Sequence, residues 1–276
     1  MTKTDKKVTI FDCTLREVGY QTGWYFDESF CRDIYHFAMG RGIDYLELGF
    51  FHSPEHDPGR GNFRYCSEKQ DEIKKLFGVM KNRVKISAMR DIQRPLWPLN
   101  PSTEGVVDTI RILTRSNETE FPFLKKQIEE MRSFGYDVYV NFTSAGYNTI
   151  ERNTEFAQFA IDEGVSMIYF ADTESVMTNE YVIDTIELCH KMGIKVGTHF
   201  HDKNGTAEEL METALKNDVD GLDFTLMGLG GKWLDGNLSI ERYLHTFNHA
   251  GGYELTHLKN EMIKQLIKYN NFSAAG

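Results

Sequence analysis

The sequence predicts an α/β fold, a single (β/α)8 TIM barrel, and three observations predict it. Strand and helix signals alternate along all 276 residues, and such alternation builds a parallel sheet covered by helices. Eight strand candidates are present, the number that closes a barrel. The first of them is not followed by the Gly-x-Gly-x-x-Gly turn of an open, dinucleotide-binding sheet. With 41% hydrophobic residues the chain can bury one full core, and no linker or low-complexity tract divides it. One catalytic domain, 1–276, is the expectation.

The first strand, 8–13, opens with Val8-Thr9-Ile10-Phe11, β-branched and apolar as a strand buried on both faces should be. The others are expected at 45–50, 84–89, 109–113, 137–142, 167–170, 195–199 and 221–225. Apolar residues at helical spacing place helices at 27–41, 67–77, 123–134, 154–162, 181–192, 206–217 and 240–249. Gly42, Gly135, Gly164 and Gly193 follow four of them, where a left-handed cap is expected. Residues 51–65 carry too much Gly and Pro for a helix and read as a lid, with Arg60 and Arg64 as anion-binding groups. Pro95, Pro98 and Pro101 nearly abolish the third helix, leaving Trp97 to pack in its place. Residues 262–269 form one extra C-terminal helix, packed on the barrel or on another subunit of a homodimer.

The formal charge of −10 and the lack of a basic run disfavour nucleic acid. No stretch of about 18 apolar residues suggests a membrane span, and the polar start, Met1 to Lys7, does not read as a secretory signal. A cytoplasmic protein is expected. Cys13, Cys31, Cys66 and Cys189 have no zinc-site or disulfide-framework spacing and read as reduced thiols.

His199 and His201 stand two apart at the end of the seventh strand, so their side chains point the same way while Phe200 faces the other. Asp12, Arg16 and Glu17 follow the first strand and reach the same C-terminal rim, where parallel barrels carry their chemistry. The histidines with a carboxylate can hold a metal ion. Hydrogen-bonded strand histidines and a surface ion pair are the alternatives on these residues alone.

Three motifs together resemble a known family. Asp12-Cys13-Thr14-Leu15-Arg16-Glu17 is similar to the Asp-x-Thr-Leu-Arg-Asp-Gly signature of the metal-dependent TIM-barrel lyases, aldolases and synthases. These include hydroxymethylglutaryl-CoA (HMG-CoA) lyase, 4-hydroxy-2-oxovalerate aldolase and isopropylmalate synthase. The His-x-His turn is the second motif, and Gly228-Leu229-Gly230-Gly231 followed by Gly236-Asn237 is the third. The resemblance implies Glu17, His199, His201 and Asn237 as metal ligands, with Glu17 where the family has aspartate. It implies Arg16 as the enolate-steadying arginine and Glu47 as the glutamate that orients it. Magnesium or manganese is implied, with zinc as an alternative. Asp12, His52, Arg60, Arg64, Tyr147, Asp172 and Thr173 are further substrate-side candidates, with His52 and Tyr147 also offered as the base. Lys232 stands where HMG-CoA lyases carry a reactive cysteine, so cleavage of that thioester is not implied.

The leading function is a divalent-metal-dependent aldolase or lyase that passes through the enolate of a 2-oxo acid such as pyruvate. Its substrate would be a small anionic oxo or hydroxy acid, a sugar-derived one included. A synthase condensing acyl-CoA with a 2-oxo acid, and a ligand-binding barrel without catalysis, are the alternatives.

Overall fold

In the computed structural model, which describes residues 8–78, 84–247, 249 and 252–273, eight parallel strands close in sequence order. They are β1 (Thr9–Asp12), β2 (Tyr45–Phe50), β3 (Lys85–Asp91), β4 (Thr109–Arg115), β5 (Asp137–Thr143), β6 (Met167–Asp172), β7 (Lys195–Phe200) and β8 (Gly221–Phe224). The seam is made by β1 and β8, with Phe11 level with Asp223. Every strand predicted from the pattern is present, within three residues at its ends.

Alternation along β4 sorts its side chains. Ile110 and Ile112 join the main apolar cluster, whereas Arg111 reaches carboxylates of β2 and β8 across the barrel interior. The interior begins with an aromatic layer of Phe11, Tyr45 and Tyr169, with Tyr139 beside it. Phe11 and Tyr45 stack at 4.2 Å between centroids. Gly197 is required here, because a Cβ on it would lie 2.2 Å from the Tyr169 ring.

The shell comprises α1 (Thr14–Thr22), α2 (Glu28–Gly40), α3 (Gln70–Phe77), α4 (Phe121–Ser133), α5 (Ile150–Asp162), α6 (Asn179–Met192), α7 (Ala207–Lys216), α8 (Ile240–Thr246) and α9 (Gly252–Tyr269). The four predicted cap glycines have φ between 64° and 86°. Among the described residues, β3 and β4 are joined by a 3-10 turn, Ser102–Glu104, rather than an α-helix, as the prolines predict. Leu99, 5% exposed, fills the gap. Trp97 stays half-buried and lends its carbonyl to Arg90, which corrects the expectation that the indole packs there.

Two helices depart from the pattern. The sequence does not announce α1, because seven of its nine residues are buried, Arg16 and Glu17 among them, leaving no polar stripe to read. Helix α9 begins ten residues earlier than predicted and packs on α1 and α2 of its own barrel. Gln265 locks it there, accepting from the Asp27 amide at 2.8 Å and donating to the Asp27 carboxylate. Among the described residues no helix is long and apolar enough to cross a membrane.

Candidate active site

A layer of charge lies on the aromatic layer. Arg111, fully buried, bridges two buried carboxylates, donating to Glu47 at 2.6 and 2.7 Å and to Asp223 at 3.0 and 2.8 Å. Its guanidinium carbon sits 4.3 Å from the centre of the Phe11 ring and 4.8 Å from that of Tyr169. Each carboxylate hands its position upward. Glu47 Oε1 lies 2.5 Å from Arg16 Nε, and Asp223 Oδ2 lies 3.0 Å from His199 Nδ1. Burial, the largest single effect, would push both carboxyls up, but Arg111 together with Arg16 at Glu47 and His199 at Asp223 outweighs it and holds both below their ordinary values, Asp223 at about 2. Glu47 is thus paired with Arg16 and Arg111 and is not among the residues that line the cavity above. Sequence reasoning did not name Arg111 or Asp223, although a charge in the middle of a buried strand is itself a signal, since it must be paired.

Above this layer, donor atoms of Glu17, His199 and His201 lie within 4.8 Å of one another. Helix α1 starts directly after β1, which places Arg16 and Glu17 over the barrel mouth, and they pair with each other. Burial would raise the Glu17 carboxyl, yet the Arg16 guanidinium and the histidines hold it well below the usual carboxylate range. The Gly231 amide donates to Glu17 Oε2 at 3.0 Å. Gly230, at φ 111°, is pressed against Glu17 so closely that a Cβ would lie 2.4 Å from the Glu17 Cβ. The glycine loop is thus packed directly on the Glu17 backbone and Cβ.

The donor set fits a divalent cation. His199 Nε2, His201 Nδ1 and Asn237 Oδ1 are buried without hydrogen-bond partners, although carboxylates of Glu17 and Asp235 stand 3.4 and 3.3 Å from the two ring nitrogens. Asn237 is paired with His201 through an antiparallel bridge, and its amide nitrogen is committed to the Leu229 carbonyl, which leaves the oxygen. Lone pairs left unmatched in a buried, acidic setting call for a cation. Protein purified without chelator is expected to carry about one divalent ion per chain, and the His201→Ala variant at least tenfold less, by elemental analysis. Equal metal in both would remove His201 from the ligand set.

A cavity of about 700 Å³ opens over these groups. Of the predicted residues, Arg16, Glu17, His52, Arg60, Arg64, Thr173, His199 and His201 line it. Burial and the nearby Arg64 push the His52 imidazole down to about 3, and its Nε2 has no partner. Arg60 and Arg64 are already paired with Asp57, at 3.0 and 2.5 Å, and Arg64 lies over the Trp24 ring. Asp57 offsets only one of their two charges, and Arg64 Nη1 stays buried without a hydrogen-bond partner, so the pair keeps a net positive charge at the cavity wall. Arg94 and Arg115, which sequence reasoning missed, also line the cavity.

Asp12, Tyr147 and Asp172 are not in the cavity wall. Tyr147 points outward, 68% exposed. Asp172 accepts the Val176 and Met177 amides and holds the turn after β6. Asp12 accepts the Thr14 amide at 2.8 Å at the start of α1. Burial pushes its carboxyl up to about 6 from the usual 3.8. The raised value means that stability is greatest with Asp12 protonated and is lost as pH rises from about 4 through 6. Asp12→Asn keeps the acceptor and removes the titration. It is expected to gain roughly 1–3 kcal/mol at pH 7, and nothing at pH 4, in urea unfolding. An equal gain at both values would exclude this cause.

Residues 108–270 match the HMGL-like family model. Oxaloacetate decarboxylase of Mycobacterium tuberculosis is 23% identical over 255 residues, covering 91% of this chain and 73% of that protein. A 2-isopropylmalate synthase of Prochlorococcus marinus is also 23% identical, over 87% of this chain, but the chain spans only 45% of its length. Among solved structures, the N-terminal domain of a Bacteroides vulgatus protein described as an aldolase superposes with a TM-score of 0.78 at 23% identity, covering 97% of this chain and 92% of that one. HMG-CoA lyase of Pseudomonas aeruginosa gives 0.73 at 19% identity, covering 98% and 96%.

Proposed function

This chain belongs to the HMGL-like family, and from that premise we propose that it is a divalent-metal-dependent carbon–carbon lyase of the aldolase type, acting on a 4-hydroxy-2-oxo acid. One observation carries the reading. Arg16 lines the cavity beside Glu17 and the two histidines, and its Nη2 is buried with no hydrogen-bond partner, the nearest carboxylate being Asp223 at 4.0 Å. An arginine N–H held ready in a desolvated site is suited to a negative oxygen that develops during reaction.

Glu17, His199, His201 and Asn237 would hold the cation, and magnesium or manganese suits a mixed nitrogen and oxygen set without thiolate. When bound, such an ion supplies Lewis-acid polarisation of a 2-oxo acid. The remaining work falls to the chain. Glu47 and Glu17 fix the guanidinium of Arg16, so its free N–H needs little rearrangement to meet an enolate oxygen. In cleavage the C4 hydroxyl gives its proton to a base, the C3–C4 bond breaks, an aldehyde leaves, and the electron pair remains as the enolate of the 2-oxo acid. Protonation at C3 then releases pyruvate or its homologue. Of the two side chains named as bases from the sequence, only His52 lines the cavity, and its lowered value makes it a weak base, so we assign the base to water admitted through the mouth beside it.

The test needs no knowledge of the aldehyde. Metal-loaded protein is expected to exchange the methyl protons of pyruvate with deuterated water, seen by proton NMR, and to stop on chelation. Protein that binds pyruvate and metal yet never exchanges would overturn the reading. The isopropylmalate synthase likeness supports one rival, condensation of an acyl-CoA with a 2-oxo acid, and release of free coenzyme A from acetyl-CoA would favour it.

A further inference from the structure

We propose that the aldehyde half of the substrate is a polyhydroxylated chain, bound by Asn141 and Glu174 on the side of the barrel facing the metal-binding residues. This rests on the aldolase reading above for its chemistry, but its recognition groups stand apart from that site. The closed strand order puts β1, β7 and β8 on one arc of the mouth, with Glu17, His199 and His201, and puts β3 to β6 on the other. A substrate whose oxo-acid end meets Arg16 must extend its other end across to the second arc.

That arc is built of hydrogen-bonding groups. Asp91, Arg115, Asn141, Thr143, Ser144 and Glu174 line it, and Met89, Pro95, Leu113 and Ala171 supply the apolar fraction. Some of the polar groups are satisfied internally. Arg115 pairs with Asp91 at 3.3 Å, and Ser144 donates to Glu174 Oε1 at 2.7 Å. Two acceptors are left over. Asn141, 1% exposed, has its Oδ1 buried with no partner, and Glu174 Oε2 is likewise buried and unmatched. Buried acceptors without donors are costly unless a ligand brings the donors. Hydroxyl groups on consecutive carbons bring several at once, whereas an alkyl chain brings none and leaves both groups stranded. In the aldol direction the bond forms between C3 of the enolate and the carbonyl carbon of a hydroxyaldehyde. That carbonyl oxygen takes up one proton, so the balance closes without a co-reactant.

Two probe pairs test this on the metal-loaded full chain. D-gluconate and hexanoate are six-carbon monocarboxylates differing in hydroxylation, and calorimetry is expected to show gluconate binding at least tenfold tighter. With pyruvate as partner, D-erythrose is expected to exceed butanal at least tenfold in kcat/KM for condensation. Asn141→Ala and, separately, the less buried Glu174→Gln should each shrink both ratios, with melting curves confirming the fold. Hexanoate binding as tightly as gluconate overturns the inference even if pyruvate exchange is normal. Gluconate preference without any pyruvate exchange sinks the aldolase reading and leaves the hydroxyl recognition standing. A preference that survives both substitutions overturns the assignment to these residues.

Discussion

Replacing Arg111 by methionine is expected to lower stability by about 3–5 kcal/mol, because it removes the cation shared by two buried carboxylates and leaves Glu47 with Arg16 alone and Asp223 with His199. Glu47 and Asp223 are both fully buried, and Arg111 makes four hydrogen bonds to them. The deficit should depend on pH with a definite sign. In the native protein these carboxyls titrate below their ordinary values, so their contribution is present above about pH 4 and is lost as pH falls through the folded-state value, about 2 for Asp223. Without Arg111 they take up protons earlier, and the gap between variant and native protein should narrow on acidification. Urea unfolding at pH 7 and pH 4 measures both quantities. A deficit under about 1 kcal/mol at pH 7 would show that the barrel interior readily replaces this hub.

Arg16→Lys is expected to cost on the order of a hundredfold or more in turnover while metal content is retained. The guanidinium meets Glu47 through Nε and Glu17 through Nη1 and still keeps Nη2 without a hydrogen-bond partner, 4.0 Å from Asp223. A lysine ammonium is a single point of charge, and satisfying either glutamate draws it away from the enolate position. The loss should therefore fall on kcat more than on KM, since the interaction is made in the transition state. Pyruvate exchange at the native rate in a folded Arg16→Lys protein would remove this residue from the mechanism.

The eight strands were legible because strands buried on both faces read as short apolar runs, and the catalytic rim was legible because polar residues follow those runs abruptly. Helix α1 was not legible, since a helix covered on nearly all sides has no amphipathic period to detect. Arg60 and Arg64 could be placed on the correct loop but not freed from Asp57, because pairing within a Gly- and Pro-rich segment depends on its turns. Asp12 and Asp172 end their strands and Glu17 follows β1 in the first turn of α1, so the sequence brings all three carboxylates to the same rim. Only the local amide geometry separates two residues that hold turns from one that faces the cavity. Asn141 and Glu174 carry no motif, and their significance lies in unmatched oxygen atoms that three-dimensional packing alone reveals.

The aromatic layer under the charges also determines how protons travel. Phe11, Tyr45 and Tyr169 fill the barrel beneath Arg111, and burial pushes the phenol of Tyr169 far above its ordinary value, so Tyr169 holds its proton at neutral pH. The barrel is in effect a one-ended vessel. Protons for the enolate, and deuterons in an exchange experiment, are then expected to enter through the open mouth that His52 lines. A long hydroxylated acceptor seated in that mouth would then stopper it, and washout of label from pyruvate should slow as the acceptor site fills.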